Sequence, residues 1–314
     1  MAQFHELGYV VVPDVFTPEE LAPVRREIAG LVEDAARRFA NEGKITDTRA
    51  GEKFETRLTR LLNEHPELTR DYLRFIEGKG GGGHAGPEMF KVITHSGLLD
   101  LMECLVGPEI VGSSVYRIRP KVPGLDRGVV PWHQDSGYFA PHCDESLIVT
   151  CWLPLVEATP ENGCLQVLPR AQHQGVLRHS TGGPGGYLVI SEEDLPPPAG
   201  QAVTVPVPLG GVLLLTNLTP HCSTPNTTDV IRWSLDLRYQ GRDVPTNAYQ
   251  DPEDFDPDAP PVEIACYPPE GDFVVRSRKH PRSVHTYEQF AARRAAYDTT
   301  PLPGPNRGWR PVGS

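Results

Sequence analysis

The N-terminal third of the chain places apolar side chains at helical spacing. After Thr17, a stripe of apolar residues recurs every three or four positions, with charged residues on the opposite side: Leu21, Val24, Ile28, Leu31, Val32 and Ala35. Thr17 and Glu20 form the pattern of a capping box, and Pro18 suits the first helical position. The pattern predicts a helix that begins directly after Thr17 and buries this stripe.

Two more helices are predicted before residue 107. One covers residues 66–77, and the other covers residues 97–106, with Ser96 as its N-terminal cap and Gly107 at its end. We expect these helices to pack outside the strands that follow.

The pattern changes after Gly107, where short apolar runs alternate with Gly, Pro and Asn up to about residue 240. The clearest runs are residues 110–119, 146–155, 163–169, 201–207 and 210–218. Such a series of short strands predicts a mainly β protein with flanking α-helices. We expect a single domain over residues 1–314, with a helical part over about 1–107, a barrel core over about 108–240 and a C-terminal extension over about 241–314.

The run DVIRWSLDLRYQ alternates strictly between apolar and polar residues. One face carries Ile231, Trp233, Leu235, Leu237 and Tyr239, and the other carries Arg232, Ser234, Asp236 and Arg238. If the apolar face packs against outer elements, Arg232 and Ser234 project into the barrel interior, where an unpaired guanidinium is costly. A bound dicarboxylate would pair with it, because a guanidinium fork grips a carboxylate through two hydrogen bonds.

The segment VVPWHQDSGYF contains a His-x-Asp motif. On an extended strand the first and third residues of the motif, His133 and Asp135, point the same way. His221, at the end of the apolar run LLLTNLTPHCS, is the natural third ligand. Two histidines and one carboxylate suit a mononuclear Fe(II) centre that leaves positions open for a co-substrate and oxygen. The other histidines are expected to have surface or hydrogen-bonded roles.

With these residues in place, the chain resembles the phytanoyl-CoA dioxygenase-like family of Fe(II)- and 2-oxoglutarate-dependent oxygenases. The resemblance spans roughly residues 4 to 240 in these segments: FHELGYVVVPDVFTPEEL, MFKVITHSGLLDLMECLVGPEI, WHQDSGYF, the strand with Trp152, ENGCLQVLPRAQH and HCSTPNTTDVIRWSLDLRYQ. It implies a double-stranded β-helix, a jelly-roll barrel of the cupin-like kind. PRAQH stands where the family usually has Pro-Gly-Ser-His, and His173 in that segment is expected to be structural.

The resemblance also implies the roles of individual residues. Iron would be bound by His133, Asp135 and His221. Arg232 would pair with the distal carboxylate of 2-oxoglutarate, with Ser234 completing an Arg-x-Ser clamp. Four further residues match co-substrate contacts of the family: Lys91, Tyr116, Gln134 and Trp152.

The implied reaction uses Fe(II), 2-oxoglutarate and O2, releases succinate and CO2, and hydroxylates an unactivated C–H bond. The presence of Asp135 argues against a halogenase, because related halogenases lack that carboxylate and use its place for the halide. The same ligands also serve desaturation, ring formation and epoxidation. Two alternatives are a binding or scaffold protein that retains the barrel without turnover, and a cupin-like metal protein that does not use 2-oxoglutarate.

The composition of the chain limits the classes of partner that we expect it to bind. A net charge of −11 and a pI of about 5.5 leave no basic stripe for phosphates, which argues against nucleic acid. No apolar run is long enough for a membrane helix, so we expect a soluble, cytoplasmic monomer or homodimer. Six cysteines without a CxxC pair are expected to be reduced thiols, including Cys222, whose side chain should point away from that of His221.

The substrate is expected to be a small metabolite, such as an amino acid or a natural-product intermediate, with an acyl-CoA of the phytanoyl-CoA type as the alternative. Tyr138, Phe139 and Arg238 are predicted pocket residues because they lie near the ligands in the sequence. Three basic residues in YRIRPK are interpreted as a solvated strand edge rather than a contact for an acidic substrate: Arg117, Arg119 and Lys121. Residues 179–200 are either a lid or a solvated linker, and the tail after residue 241 covers the barrel mouth, joins a dimer contact or wraps the surface.

Overall fold

The structure is a computed structural model that describes residues 2–77, 84–113, 116–125, 129–139, 141–196, 202–244, 272–299 and 307–313. Its helices are α1 (Ala2–Leu7), α2 (Pro18–Asn41), α3 (Arg57–Glu64), α4 (Thr69–Glu77), α5 (Pro87–Ile93), α6 (Ser96–Val106) and α7 (Tyr287–Thr299). Its strands are β1 (Tyr9–Val12), β2 (Glu109–Gly112), β3 (Arg117–Lys121), β4 (Ile148–Pro154), β5 (Leu165–Val167), β6 (Ser180–Thr181), β7 (Val203–Val205), β8 (Val212–Thr216), β9 (His221–Ser223), β10 (Arg232–Gly241), β11 (Phe273–Ser277) and β12 (Arg310–Pro311).

Two antiparallel sheets form the barrel. The main sheet has the order β1-β8-β4-β10-β2-β11, and β3 pairs with β10 beside β2; the smaller sheet has the order β7-β5-β9. Side chains from both sheets meet in one apolar cluster that includes Trp152 and Leu213 from the main sheet and Leu165 and Val205 from the smaller one. The space between the sheets is therefore the barrel interior, as the sequence predicted.

Strand β10 shows the predicted alternation. Trp233, Leu235 and Leu237 are buried in the larger core, which the helices share with the outer face of the main sheet. The Trp233 indole N–H donates to the Phe54 carbonyl oxygen at 3.1 Å, and the Tyr239 hydroxyl donates to the Ile93 carbonyl oxygen at 2.8 Å. Since side chains alternate along a strand, the polar residues of β10 face the barrel interior.

Helix α2 begins as its sequence predicts. The Glu20 amide donates to Thr17 Oγ1 at 3.2 Å, and the Thr17 amide donates to Glu20 Oε2 at 2.8 Å, so both bonds of the capping box form. The predicted apolar stripe faces the core, where the helix packs against α4 and α5.

The other two predicted helices differ from expectation at their N-termini. Ser96 was expected to cap α6, but it is the first helical residue, and the ring of His95 accepts from the Leu98 amide at 3.4 Å. Gly107 ends the helix with φ +84°, a conformation that side chains disfavour. The helix predicted over residues 66–77 starts as a 3₁₀ turn, Pro66–Leu68, before α4.

Two strands of the main sheet lie outside the range predicted for the barrel. Strand β1 pairs with β8 at one edge, and β11 pairs with β2 at the other. Phe290 of α7 is buried in the larger core together with residues of α2 and α6. Within the described ranges, no helix is both long and apolar enough to span a bilayer.

Candidate metal centre and co-substrate pocket

A backbone bridge brings the two histidines together. The His133 amide donates to the His221 carbonyl oxygen at 3.0 Å, and the His221 amide donates back at 2.9 Å. Their ring centroids are 4.2 Å apart. The expectation that His133 and Asp135 share a regular strand is wrong, because Asp135 opens a 3₁₀ turn over Asp135–Tyr138. That turn is tied to the main sheet by the Ser136 amide, which donates to the Asn217 carbonyl oxygen at 3.0 Å.

The three predicted ligands converge despite that turn. One ligand atom from each of His133, Asp135 and His221 lies within 4.8 Å of the others, and all three residues are buried. The Nδ1 atoms of His133 and His221 each lie 2.9 Å from a carbonyl oxygen, of Pro131 and Thr219 respectively. A carbonyl oxygen only accepts, so Nδ1 carries the proton in both rings and Nε2 is the free lone pair for a metal.

Two side chains hold the Asp135 carboxylate in place. Arg238 donates to it through Nη2 at 2.6 Å and through Nε at 3.2 Å, and the Thr150 hydroxyl also donates to it. Burial alone would raise the pKa of Asp135, but the positive charge of Arg238 and its hydrogen bonds to the carboxylate hold this pKa well below its usual range. Asp135 is therefore an oriented anion, the form that a divalent cation requires.

Burial, together with the neighbouring ring of His221, lowers the pKa of His133 well below its ordinary value. The imidazole stays neutral at physiological pH, as a metal ligand must. Two imidazoles and one carboxylate on one side of an open cavity are the donor set of mononuclear non-haem Fe(II) sites. This is the one cluster of metal-ligating side chains found in the described ranges.

Arg232 lies in the interior without a partner for part of its guanidinium. It is 3% exposed, donates from Nη1 to Ser234 Oγ at 2.5 Å and stacks over the Trp152 ring at 5.0 Å. Within the described part of the chain, its buried Nε has no hydrogen-bond acceptor. Burial lowers the pKa of Arg232 to about 10, so it remains charged at neutral pH. An uncompensated buried cation of this shape fits the carboxylate of a bound ligand.

Lys121 is a second buried basic residue, contrary to the predicted solvated position. Instead of a solvated strand edge, β3 is hydrogen-bonded to β10, and Lys121 is 2% exposed. Its ammonium donates to Ser223 Oγ at 2.6 Å, and burial together with the charge of Arg232 lowers the pKa of Lys121 to about 7. The period of two in Arg117-x-Arg119-x-Lys121 was the available signal, since it places all three on one strand face.

Three residues matched to co-substrate contacts lie elsewhere. Lys91 is exposed on α5, where its ammonium pairs with Glu88 at 2.8 Å. The Tyr116 hydroxyl donates to the His84 carbonyl oxygen at 2.6 Å. The Gln134 amide group donates to the carbonyl oxygens of Gly175 and Leu218 and accepts from the Leu177 amide, so it ties loops together. Since none of the three lines the cavity, we do not include them in the proposed site.

The cavity in front of the ligands has a volume of about 960 Å³. The predicted iron ligands line its buried end together with Arg232, Lys121 and Trp152, and the predicted pocket residues Tyr138, Phe139 and Arg238 also line it. Cys222 also lines the cavity, but its thiol donates to Gln166 Oε1 at 3.6 Å, and burial raises its pKa to about 12, which makes it a poor nucleophile.

The segment after His179 covers part of this cavity, which supports the lid interpretation. Tyr187 lines the cavity, and its hydroxyl accepts from Arg119 Nη1 at 2.9 Å. The next amide, that of Leu188, donates to the Tyr138 hydroxyl at 2.8 Å. Residues 197–200 of the predicted insertion lie outside the described residues.

The C-terminal residues 307–313 pack over the lid and the turn that carries Asp135. Strand β12 pairs with β6 in parallel, and the Trp309 indole N–H donates to the Gly137 carbonyl oxygen at 2.8 Å. Arg307 pairs with Asp144 through Nη1 at 2.9 Å.

Comparisons with known proteins agree with this geometry. Residues 4–234 match the family model of phytanoyl-CoA dioxygenase (PhyH). Phytanoyl-CoA dioxygenase domain-containing protein 1 of Danio rerio is 25% identical over 260 residues, which cover 73% of this chain and 85% of the relative. Human peroxisomal phytanoyl-CoA dioxygenase is 36% identical over 92 residues, which cover 29% of this chain and 27% of the relative.

Solved structures share the fold. The non-heme monooxygenase ThoJ, in its apo form, aligns with a TM-score of 0.56 at 17% identity, covering 95% of this chain and 96% of its own. EctD from S. alaskensis, solved with 2-oxoglutarate and 5-hydroxyectoine, aligns with a TM-score of 0.50 at 20% identity, covering 77% of this chain and 75% of its own. The jelly-roll fold is thus confirmed. With the family model matched over most of its length, the chain belongs to the phytanoyl-CoA dioxygenase family and is a 2-oxoglutarate-dependent non-haem iron dioxygenase.

Proposed function

We propose that this dioxygenase hydroxylates an unactivated C–H bond of a small-molecule metabolite. The observation that carries the proposal is the position of two features in one cavity. The neutral His133, anionic Asp135 and His221 converge at its buried end, and the incompletely paired guanidinium of Arg232 lies beside them.

The iron, when bound, would activate O2 with electrons from the oxidative decarboxylation of 2-oxoglutarate to succinate and CO2. His133, Asp135 and His221 would hold the metal on one side and leave the cavity side open. Arg238 and Thr150 fix the carboxylate of Asp135, so that its free lone pair keeps one direction.

The other buried groups would hold 2-oxoglutarate. Arg232 would grip its distal carboxylate, with Ser234 fixing the guanidinium and Trp152 supporting it from one face. Lys121, which is opposite Arg232 in the ladder between β3 and β10, would add a second positive charge. These groups would bind and orient the co-substrate. Holding the reacting atoms in the correct geometry removes a large part of the activation free energy.

The size of the cavity supports a metabolite as substrate. A volume of about 960 Å³ lies near the upper end of the range for small-molecule sites, roughly 300–1,000 Å³. It would hold 2-oxoglutarate and a compact second molecule. An acyl-CoA would have to leave most of its nucleotide outside, so we favour the smaller substrate.

An anaerobic titration of the purified protein with Fe(II) and then 2-oxoglutarate tests the site. We expect a visible charge-transfer band that saturates near one equivalent per chain, because the keto acid chelates the iron. Iron binding without a band would favour the cupin-like alternative.

A screen under 18O2 tests the reaction, with phytanoyl-CoA included among amino acids and natural-product intermediates. A product that gains one 18O atom, with one equivalent of succinate, is expected, and a desaturated or cyclised product without label would overturn hydroxylation.

A further inference from the structure

The charge of the cavity lining is opposite in sign to the net charge of the chain. The whole sequence carries a net charge of −11. Among the residues that the structure describes, the walls of the cavity instead carry three carboxylates, Glu77, Asp135 and Asp236, against seven basic side chains: Arg70, Arg74, Arg117, Arg119, Lys121, Arg232 and Arg238. Gathering like charges in one cavity is unfavourable unless an anion binds there.

The iron site and the co-substrate account for only part of this charge. Arg238 is bound to Asp135, and Arg119 pairs with Asp236 at 2.9 Å. Arg232 and Lys121 are buried at the end that would hold 2-oxoglutarate. Arg70 and Arg74, on α4, have no function in that assignment.

Arg70 and Arg74 form a rim at the exposed end of the cavity together with Arg117, and the rim is defined as these three arginines. Arg70 and Arg74 are one turn apart on α4, so their side chains share a helix face, and both are exposed. Arg117 lies on β3, against which α4 packs, and on the same strand face as Lys121. Glu77, at the end of α4, also lines the cavity and carries the opposite charge.

We propose that the rim binds an anionic group of the substrate, a carboxylate or a phosphate, and so selects acidic metabolites. The inference rests on the proposed function, because it assigns the substrate of that same site. With the anion held at the exposed end, the rest of the molecule extends inward, toward the iron ligands. The arginine fork suits both kinds of anion.

The test uses the holoenzyme loaded anaerobically with Fe(II) and saturating 2-oxoglutarate, so that acids cannot report on the co-substrate site. Two acidic probes, hexanoate and hexyl phosphate, are compared with their neutral counterparts, hexanamide and hexanol. Dissociation constants come from ligand-observed NMR at low ionic strength, where charges at exposed sites are least screened. We expect at least one acid to bind about tenfold more tightly than its neutral counterpart, as a charge-assisted hydrogen bond implies. The tighter of the two acids identifies the anion.

Charge-reversal variants assign the effect to the rim. In the double variant R70E/R74E, we expect the preference for the acid to disappear, whereas R26E, which reverses an exposed arginine on α2, should keep it. Neutral probes that bind as tightly as the acids would overturn the inference, as would a rim variant that shifts the acid dissociation constant less than about twofold. The charge-transfer band of the same samples separates the two proposals. A missing band removes the proposed function, and a normal band without acid preference removes only the rim.

Discussion

Lys121 and Arg232 occupy directly opposite positions in the antiparallel ladder between β3 and β10. Both side chains are buried, so two cations lie beside each other at the inner end of the cavity. Burial and the charge of Arg232 lower the pKa of Lys121 to about 7, whereas Arg232 stays charged. The pair is poised to bind a dianion, whose charge would favour the protonated form of Lys121.

The affinity for 2-oxoglutarate should therefore depend on pH. Lys121 of the ligand-free protein loses its proton as pH rises through about 7, and a bound carboxylate raises its pKa again, so binding takes up a proton above that pH. We expect the dissociation constant to rise up to about tenfold per pH unit between pH 7 and 9. Calorimetry of the Fe(II)-loaded protein measures this rise, and K121M should bind more weakly with a flat profile. A flat profile for the wild type would contradict the role of Lys121.

Replacing Arg232 should separate co-substrate binding from iron binding and from folding. In R232M, 2-oxoglutarate should bind about 100-fold more weakly, because two charge-assisted hydrogen bonds are lost. The ligand-free variant should melt at the same temperature or higher, since an incompletely paired buried charge is replaced by an apolar side chain of similar length. Iron affinity should not change, whereas H133A should lose affinity for both ligands. Unchanged 2-oxoglutarate affinity in R232M would rule out the clamp.

The hydroxyl of Thr150 should contribute to iron affinity although it is not a ligand. In T150V, the hydrogen bond to Asp135 is lost while the side chain keeps its shape. We expect iron affinity to fall about 10- to 100-fold, the usual effect of removing a group that orients a ligand. T204V is the control, because the Thr204 hydroxyl accepts from Gln166 on the neighbouring strand, in the smaller sheet. Equal iron affinities of T150V and the wild type would show that Arg238 alone orients the carboxylate.

Removing Trp309 should loosen the lid. In W309A, the hydrogen bond to the Gly137 carbonyl oxygen and the ring contact with His179 are both lost. We expect faster hydrogen exchange of amides that hold the lid, among them those of Ser180 and Val189, each of which donates to the carbonyl oxygen of the other residue. Peptides from α2 should exchange as in the wild type. Unchanged exchange across residues 177–190 would mean that the lid is held without the C-terminal residues.

The sequence was most informative where one residue pattern had one structural solution. The alternation along residues 231–239 predicted which side chains of β10 face inward, because the period of a strand is two. The triad was also predicted, although the reason given for His133 and Asp135 was partly wrong. Asp135 reaches the site from a 3₁₀ turn that is fixed by distant Asn217, and such a contact has no local signal.

Residues whose environment depends on long-range pairing were harder to place. Lys121 is buried only because β3 joins β10, more than 100 positions later in the chain, and a basic run by itself is typical of a solvated edge. Lys91 and Tyr116 were predicted as site residues by resemblance alone, across loops whose length varies within the family. In the structure, the Lys91 ammonium pairs with Glu88, and the Tyr116 hydroxyl donates to the His84 carbonyl oxygen. Ser96 was chosen as a cap by residue type, whereas the ring of His95 fulfils that role.

Strand β10 also links correct folding to activity. One face of it supplies Arg232, Ser234 and Arg238, and the other supplies Trp233 and Leu235 to the helix-covered core. A slip of one residue in its pairing would exchange the two faces, placing guanidinium groups in the apolar core and indole in the cavity. A chain with misregistered pairing would therefore be both unstable and catalytically inactive. The cell's proteases would degrade these same inactive molecules.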